Sequence, residues 1–309
     1  PVTLEVAGAP VEPVEVERWA GANRYETAVA VSSTYEPGVP VVFVATGDAY
    51  PDALTGSALA GSLNGPVLLT KSGNLTGVTG AELARLQPER VVVLGGTSAV
   101  SDVVLAQAGA AAGVPAERLS GVNRYGTAAA VSAEFGTAER VFVATGEDYP
   151  DALSAAARAG AVDAPVLLVK RDAIPSATAA ALDALEPSQI TVLGGEGAVD
   201  QSVVEELRSW APTKRMGGLN RYVTSVRLFA EVASAETVYV ASGQNWPDAL
   251  SGGAKAGSDS EPLLLTKQDF VPLVIMGALQ RLDPDRVVVL GGESAVSEDV
   301  VEQLEGLRD

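Results

Sequence analysis

The sequence contains neither cysteine nor histidine among its 309 residues. The absence of cysteine excludes disulfide bonds, thiolate metal sites and thiol nucleophiles. The absence of histidine excludes His-ligated zinc and catalysis by Ser-His-Asp or Cys-His groups. The chemistry that remains available is that of carboxylate, lysine, tyrosine and serine side chains.

Basic residues and aromatic residues are also scarce. Lysine and arginine number 21 against 39 acidic residues, which gives a net charge of −18 at pH 7. Such a charge disfavours a general attraction to nucleic acid or to anionic lipid, so a bound anion must be held by local groups. No run of 18 or more apolar residues is present, and we predict no membrane insertion. The aromatic content of 5% predicts cores built from Val, Leu and Ala.

One segment is written three times in the chain. RWAGANRYET, RLSGVNRYGT and RMGGLNRYVT begin at Arg18, Arg118 and Arg215, and each is followed by ATG or ASG, PDAL, PVLL or PLLL, and LGG. The PDAL proline precedes the next motif by 15 residues in every copy, and 28 further residues lead to the LGG leucine. This spacing predicts three modules of one supersecondary design, at residues 17–115, 116–213 and 214–309. Residues 1–16 carry none of the motifs and are interpreted as a linker or as an added edge strand.

Short runs of Val and Leu alternate with helical segments inside each module. In the first module the pattern predicts strands at 14–19, 41–45, 67–70 and 91–94, and helices at 24–35, 51–63, 76–86 and 102–112. Continuous apolar strands between helices indicate a parallel sheet covered on both faces, so each module is a small doubly wound α/β domain. The connections between modules are short, which predicts close packing. A ring with approximate threefold symmetry and an extended string are both compatible with them.

Polar positions that are retained in all three copies are the candidates for function. Ligands of parallel α/β sheets bind outside the carboxyl ends of the strands, where lysines and glycine-rich turns fall in every module. Lysine, arginine and helix N-terminal amides suit an anion. The retained residues are Lys71, Lys170 and Lys267, the arginines Arg24, Arg124 and Arg221 of the NRY motif, and the PDAL aspartates Asp52, Asp151 and Asp248.

Structural roles are equally open for several of these residues. The arginines fit an ion pair within or between modules as well as an anion site, and the aspartates fit a role at the helix N-terminus or beside an arginine. The Asn and Thr of the NRY motif are predicted to cap the helix that they begin. Aromatic residues directly before PDAL could stack on a sugar ring or pack at the helix entry; they are Tyr50, Tyr149 and Trp246.

On these motifs the chain resembles the cell-wall-binding type 2 repeat family over residues 17–309. The resemblance rests on NRY followed by T, ATG with PDAL, PVLL, and LGG with AV two residues later. It implies three Rossmann-like or Toprim-like parallel-sheet α/β modules packed as a pseudo-threefold triplet within one chain, and it specifies no oligomeric state. It further implies a secreted protein of a Gram-positive-type cell surface, with S-layer-like anchoring to an anionic secondary wall polymer and no cofactor or metal.

Catalytic activity in that family resides in other domains, so the chain is predicted to be a binding module and not an enzyme. The alternative is a carbohydrate-active or nucleotide-binding enzyme built on repeated α/β units. The predicted polymer ligands are the three lysines, the three NRY arginines and the three aromatic residues. A charge of −18 opposes a polyanion, so either basic residues cluster in grooves, cations bridge the two, or the polymer is closer to neutral.

Overall fold

A computed structural model describes residues 13–148 and 152–308 of the protein. In this part of the chain, parallel strands form three four-stranded sheets. The strands are β1 Glu15–Trp19, β2 Val42–Thr46, β3 Val67–Thr70, β4 Val91–Leu94, β5 Ala116–Leu119, β6 Arg140–Thr145, β7 Val166–Val169, β8 Gln189–Leu193, β9 Thr213–Met216, β10 Thr237–Ser242, β11 Leu263–Thr266 and β12 Arg286–Leu290.

Helices alternate with these strands throughout. They are α1 Arg24–Ser32, α2 Pro51–Ser62, α3 Gly77–Leu86, α4 Asp102–Ala112, α5 Arg124–Ser132, α6 Leu153–Ala161, α7 Ser176–Leu185, α8 Gln201–Leu207, α9 Arg221–Leu228, α10 Pro247–Ser258, α11 Leu273–Leu282 and α12 Glu298–Glu305. Short 3-10 helices lie at Ala133–Phe135 and Gly306–Arg308. The α/β prediction is confirmed, and the first repeat has every predicted element within three residues of its predicted ends.

Central strands such as β2 and β4 are buried along their whole length, as continuous Val and Leu require. The strand orders are β3-β2-β4-β5, β7-β6-β8-β9 and β11-β10-β12-β1. The residues of the core are mainly Val, Leu and Ala, with few aromatic side chains such as Phe43 and Tyr239.

The first strand of each repeat pairs with the sheet of a neighbouring repeat. Strand β5 pairs with β4, β9 pairs with β8, and β1 pairs with β12, where Trp19 lies opposite Leu290. The strand predicted at 14–19 therefore forms, but it completes the sheet of the third repeat. A strand pattern does not specify the edge with which the strand pairs, because pairing depends on contacts distant in sequence. Residues 15 and 16 of the predicted linker lie in this edge strand, and residues 1–12 lie outside the described part.

Three helices, α2, α6 and α10, pack against one another at the centre of the molecule. Their backbones meet at Gly61, Gly160 and Gly257, which hold the same position in the three repeats. A Cβ atom on Gly61 would lie 3.2 Å from the Cα atoms of both other glycines. A side chain at any of these positions would require the neighbouring helices to move apart by a few tenths of an ångström. The predicted pseudo-threefold triplet is confirmed, and the three helices at its centre are almost wholly buried.

Candidate functional site

The retained motifs of neighbouring repeats meet at the carboxyl ends of the strands at three boundaries, which we name grooves; pockets are found at two of them. The 1/3 groove is a pocket of about 200 Å³ between repeats 1 and 3, and its lining includes Asn23, Arg24, Thr27, Pro247, Asp248 and Gly292. The 2/3 groove has a volume of about 600 Å³, and its lining includes Glu147, Asp148, Arg171, Leu219, Asn220 and Arg221. The 1/2 groove is defined by Tyr50 and Asp52 facing Arg124 and Thr127.

The asparagine of the NRY motif caps the helix that follows, as predicted. Asn23 Oδ1 accepts hydrogen bonds from the backbone N–H groups of Tyr25 and Glu26, at 3.0 and 3.2 Å. Asn123 and Asn220 cap α5 and α9 in the same way. Each cap satisfies amides that would otherwise lack an intrahelical partner. The asparagine therefore fixes the direction in which the neighbouring arginine leaves the backbone.

The retained threonine does not cap the helix. Thr27 Oγ1 accepts a hydrogen bond from the backbone N–H of Gly21 at 3.2 Å, and the other two repeats have the same contact. The Thr27 hydroxyl also hydrogen-bonds Asp248 of repeat 3. The prediction of a capping threonine is wrong because the hydroxyl is already engaged between the loop before the helix and the neighbouring repeat.

The NRY arginine bonds to its own repeat and reaches the adjacent one. Arg24 donates from Nη1 to the backbone carbonyl of Gly47, and Arg124 and Arg221 make the equivalent bonds to Gly146 and Gly243. The Arg24 guanidinium lies over the ring of Trp246, 5.3 Å from its centroid. In the 1/2 groove, Arg124 Nη1 lies 3.5 Å from Tyr50 Oη. The groups in direct contact with Arg24 and Arg124 are carbonyl and aromatic groups, and the charges of the two arginines also act on the carboxylates of Asp248 and Asp52.

The glycine of the ATG motif leaves space for the NRY side chains. A Cβ atom on Gly47 would lie 2.7 Å from Tyr25 Cε1 and 3.0 Å from Arg24 Cδ. Gly146 and Gly243 face the equivalent Tyr and Arg with similar separations. Two motifs that are separated by about twenty residues in the sequence are thus a single packing unit.

The PDAL aspartate lies against the LGG turn. Asp248 is only 8% exposed. It lies beside Gly291, which has a φ of +99° and has no room for a Cβ atom; Asp52 and Gly95 repeat the arrangement. Burial raises the pKa of Asp248, while a hydrogen bond with Thr27 and the charge of Arg24 oppose the rise. The third aspartate, Asp151, lies outside the described residues.

The aromatic residues before PDAL lie close to one another. The rings of Tyr50 and Trp246 meet edge to face with centroids 6.4 Å apart, and Tyr50 Oη donates to the Gly146 carbonyl at 3.3 Å. Both rings are half-buried. Tyr149 lies outside the described residues. In repeats 1 and 3 these positions therefore pack at the boundary between repeats and keep part of each ring accessible.

The three retained lysines do not belong to the linings of the 1/3 and 2/3 grooves. Lys71 and Lys170 are exposed, and Lys267 is half-buried with Nζ 4.4 Å from the centroid of the Phe270 ring. Arg171, the residue after Lys170, does line the 2/3 groove. The strand end that the sequence singled out therefore contributes Arg171 to this groove, and a role of Lys170 in binding stays a prediction.

A second retained arginine has a role that sequence reasoning left unassigned. Arg18 Nη1 donates to the carbonyls of Gly291 and Val296 at 2.8 and 2.9 Å. Arg118 and Arg215 donate to the equivalent glycine carbonyls, Gly95 and Gly194. This arginine holds the LGG turn of the neighbouring repeat at the edge of the groove. The retention of this arginine in all three copies was the sequence feature that could have indicated its role.

Neither a metal centre nor a membrane span is found in the described part of the chain. Within residues 13–148 and 152–308, no three His, Cys, Asp or Glu side chains are grouped so that they could hold a metal ion. In the same ranges every helix is too short or too polar to cross a membrane.

Comparisons with known proteins agree with the three repeats. A family model described as cell wall binding domain 2 (CWB2) matches residues 18–105, 118–204 and 215–301. N-acetylmuramoyl-L-alanine amidase LytC of Bacillus subtilis (strain 168) is 31% identical over 290 residues, which are 94% of this chain and 58% of LytC. The amidase enhancer of the same organism is 29% identical over 293 residues, which are 93% of this chain and 40% of that protein.

Two solved structures share the fold. Cwp6 from Clostridium difficile has a TM-score of 0.90 and 23% identity over 96% of this chain and 48% of its own. Cwp8 from the same organism has a TM-score of 0.85 and 24% identity over 95% of this chain and 52% of its own. The chain thus spans between two fifths and three fifths of the length of the four proteins that it resembles.

Proposed function

This chain belongs to the cell wall binding domain 2 family, and we propose that it binds an anionic secondary polymer of the bacterial cell wall noncovalently. Cell-wall binding is the property that the family match carries. The polymer class and the site are our proposal. The observation that supports it best is the repetition of one arginine, held in one geometry, in each of the three grooves.

The arginine has suitable chemistry for such a ligand. A guanidinium carries five N–H donors in a planar fork that matches the oxygens of phosphate and carboxylate groups. Arg24 uses one amino group for the Gly47 carbonyl while its side chain lines the 1/3 groove. Each hydrogen bond to a charged partner contributes about 1.5 to 3 kcal/mol. Three grooves on one rigid body then suit a polymer whose anionic groups recur along its length.

The net charge of −18 opposes a general attraction between the protein and an anionic polymer. The 2/3 groove pairs Arg171 and Arg221 with Glu147 and Asp148, so even this pocket holds charges of both signs. We therefore propose that the polymer is held by local arginine contacts and not by a general electrostatic attraction. The exposed Lys71 and Lys170 extend the cationic surface at strand ends, and half-buried Lys267 does so beside Phe270. Tyr50, Tyr149 and Trp246 are proposed to contact sugar rings of the polymer.

We also propose that the chain attaches a secreted protein to the cell surface and that any catalysis belongs to another part of that protein. The support is the pattern of resemblance. One relative bears the name of an amidase and the other of an amidase enhancer, and the chain matches 58% and 40% of their lengths. A region that is common to two proteins with such different names is better explained by a shared attachment function than by one chemical reaction.

Sedimentation with purified cell walls tests the proposal. The chain should sediment with intact Gram-positive walls and remain in solution with walls from which the secondary polymer has been extracted. The triple variant Lys71→Met, Lys170→Met and Lys267→Met tests the lysines, with Lys214→Met as a control at an exposed strand position. Equal binding to both wall preparations would exclude the secondary polymer. A cleared band that the chain alone produces in a wall zymogram would favour the enzyme alternative.

A further inference from the structure

An arginine side chain closes the same gap in repeats 1 and 3. Arg85 on α3 donates from Nη1 to the Tyr35 carbonyl at 3.1 Å and from Nη2 to the Ser32 carbonyl at 3.0 Å. Arg281 on α11 holds the same position in repeat 3. It donates to the Val232 carbonyl, and to the Phe229 carbonyl at 3.1 Å.

The carbonyl groups that these arginines contact are equivalent. Phe229 and Val232 lie 197 residues after Ser32 and Tyr35, the same offset that separates the NRY motifs of repeats 1 and 3. In both repeats the guanidinium therefore binds at the C-terminal end of the first helix. Helix C-termini carry a partial negative charge on their last carbonyls, which attracts a cation. The same carbonyl contacts are thus made twice with the same side chain, and Arg85 in addition donates to the buried carboxylate of Glu82 at 2.7 and 2.9 Å.

Repeat 2 has the site but lacks the arginine. Ala184 on α7 occupies the position of Arg85 and Arg281, and a pocket of about 230 Å³ lies between α5 and α7. Ser132, the equivalent of Ser32, lines this pocket together with Ala133, Gly136, Ala180 and Ala184. The walls are otherwise alkyl groups, which suit the methylene stem of an incoming side chain. We name this feature the α5–α7 pocket.

We propose that the α5–α7 pocket binds the guanidinium group of an arginine side chain presented by another polypeptide. The sister repeats identify the ligand chemistry, because in both of them a guanidinium donates to the equivalent pair of carbonyls. The net charge of −18 favours the approach of a basic segment. The pocket lies at the end of α5 opposite Arg124, so it is remote from the 1/2 groove that Arg124 enters. A partner bound there leaves the grooves accessible, and the inference is independent of the proposed polymer.

Amide spectra of the isotope-labelled chain test this inference. N-ethylguanidinium should cause saturable shifts confined to residues near 129–136 and 177–185, and ethylammonium, which lacks the planar fork, should not. A short peptide with a central arginine should cause the same shifts and should bind about tenfold more tightly than its lysine counterpart. Binding of N-ethylguanidinium without binding of the arginine peptide would exclude a polypeptide source.

Substitutions that fill the pocket, or that create an equivalent one, provide a second test. Ala184→Arg should supply the missing guanidinium, raise the melting temperature and abolish the shifts, while Ala184→Leu should block the pocket without adding donors. Conversely, Arg281→Ala should open an equivalent pocket in repeat 3 and add an N-ethylguanidinium response at residues near 229–232. Absence of saturable shifts in the parent, or shifts that persist in Ala184→Arg, would overturn the proposal.

Discussion

At the residue scale, the retained polar side chains join neighbouring repeats and line the grooves at the same time. Thr27 links the loop of its own repeat to Asp248, and Thr127 has the same relation to Asp52. The arginine of the same motif packs against Trp246 across the boundary. A substitution at any of these positions therefore changes both stability and the shape of the groove. Stability and wall binding must be measured on the same variants.

The buried aspartate predicts a specific dependence of stability on pH. Burial raises the pKa of Asp248 above its ordinary value of 3.8, so the folded protein retains the proton to higher pH than the unfolded chain. Its contribution to the free energy of unfolding then falls as pH rises from the ordinary pKa through the raised one. The melting temperature of Asp248→Asn, measured relative to that of the parent, should therefore increase as the pH is raised from about 3 to about 7. A difference that stays constant over this range would contradict the assignment.

The ATG glycine predicts a loss of both stability and binding when a methyl group is added. In Gly47→Ala the new Cβ atom meets the Tyr25 ring and the Arg24 side chain at 3.0 Å or less. Overpacking of this kind costs about 1 to 3 kcal/mol. We expect a lower melting temperature and weaker sedimentation with walls, because Arg24 must leave its position in the groove. Gly73→Ala is the matched control, since its Cβ would meet nothing within 4 Å; equal effects of the two substitutions would refute the explanation.

The sequence predicted those residue roles that depend on local contacts. Asn23 was identified as a cap because its partners lie two and three residues ahead. The contacts of Thr27 with Asp248 and of Arg24 with Trp246 cross from repeat 1 to repeat 3, and no local pattern encodes them. The lysines illustrate a third case, in which the strand end was predicted but the direction of the side chain depends on how the segment leaves the sheet.

At the element scale, the exchanged first strands determine which segments fold as units. A fragment cut at the sequence repeat, residues 17–115, contains only the last three residues of β1 without their partner strand β12, and it lacks β5. A fragment of residues 20–120 contains β2, β3, β4 and β5, which together form one complete sheet. We expect residues 20–120 to show the higher melting temperature and the greater amide protection. Higher stability of residues 17–115 would show that the fourth strand contributes little. The sheet that the first strand of each repeat joins is the part of the fold that strand patterns could not predict.

The central glycines predict a non-additive response to small side chains. Gly→Ala inside a helix ordinarily gains about 0.5 to 1 kcal/mol, but a Cβ atom at Gly61 would lie 3.2 Å from two neighbouring backbones. We expect each single change at Gly61, Gly160 or Gly257 to lower stability slightly, and the triple change to lower it by more than the sum. Gly80→Ala, which meets only a leucine methyl at 3.4 Å, should be neutral or stabilising. Thermal unfolding that is unchanged in the triple variant would mean that the three helices separate easily.

At the scale of the whole molecule, the threefold arrangement would combine the three proposed weak sites into one attachment. If each groove alone holds its ligand with a dissociation constant near 1 mM, its binding free energy is about −4 kcal/mol. Three such grooves on one rigid body raise the avidity for a repeating polymer by about 10² to 10⁴ without new contacts. The sequence predicted three modules because internal repetition is visible without any knowledge of packing, and the family resemblance implied their triplet arrangement. The boundaries at which the grooves form became evident only from the exchanged strands.

This arrangement predicts that wall binding falls in steps as the groove arginines are removed. Arg24→Gln, Arg124→Gln and Arg221→Gln should each weaken sedimentation with walls, and the triple variant should bind no more tightly than one groove does. Each change also removes a bond to a glycine carbonyl, so folding is verified by thermal unfolding. Arg208→Gln, an exposed arginine at the end of α8, controls for loss of positive charge. If the folded triple variant binds like the parent at physiological salt, where exposed charges are screened beyond about 8 Å, the arginines are not ligands. The aromatic residues Tyr50, Tyr149 and Trp246 would then be the next positions to substitute.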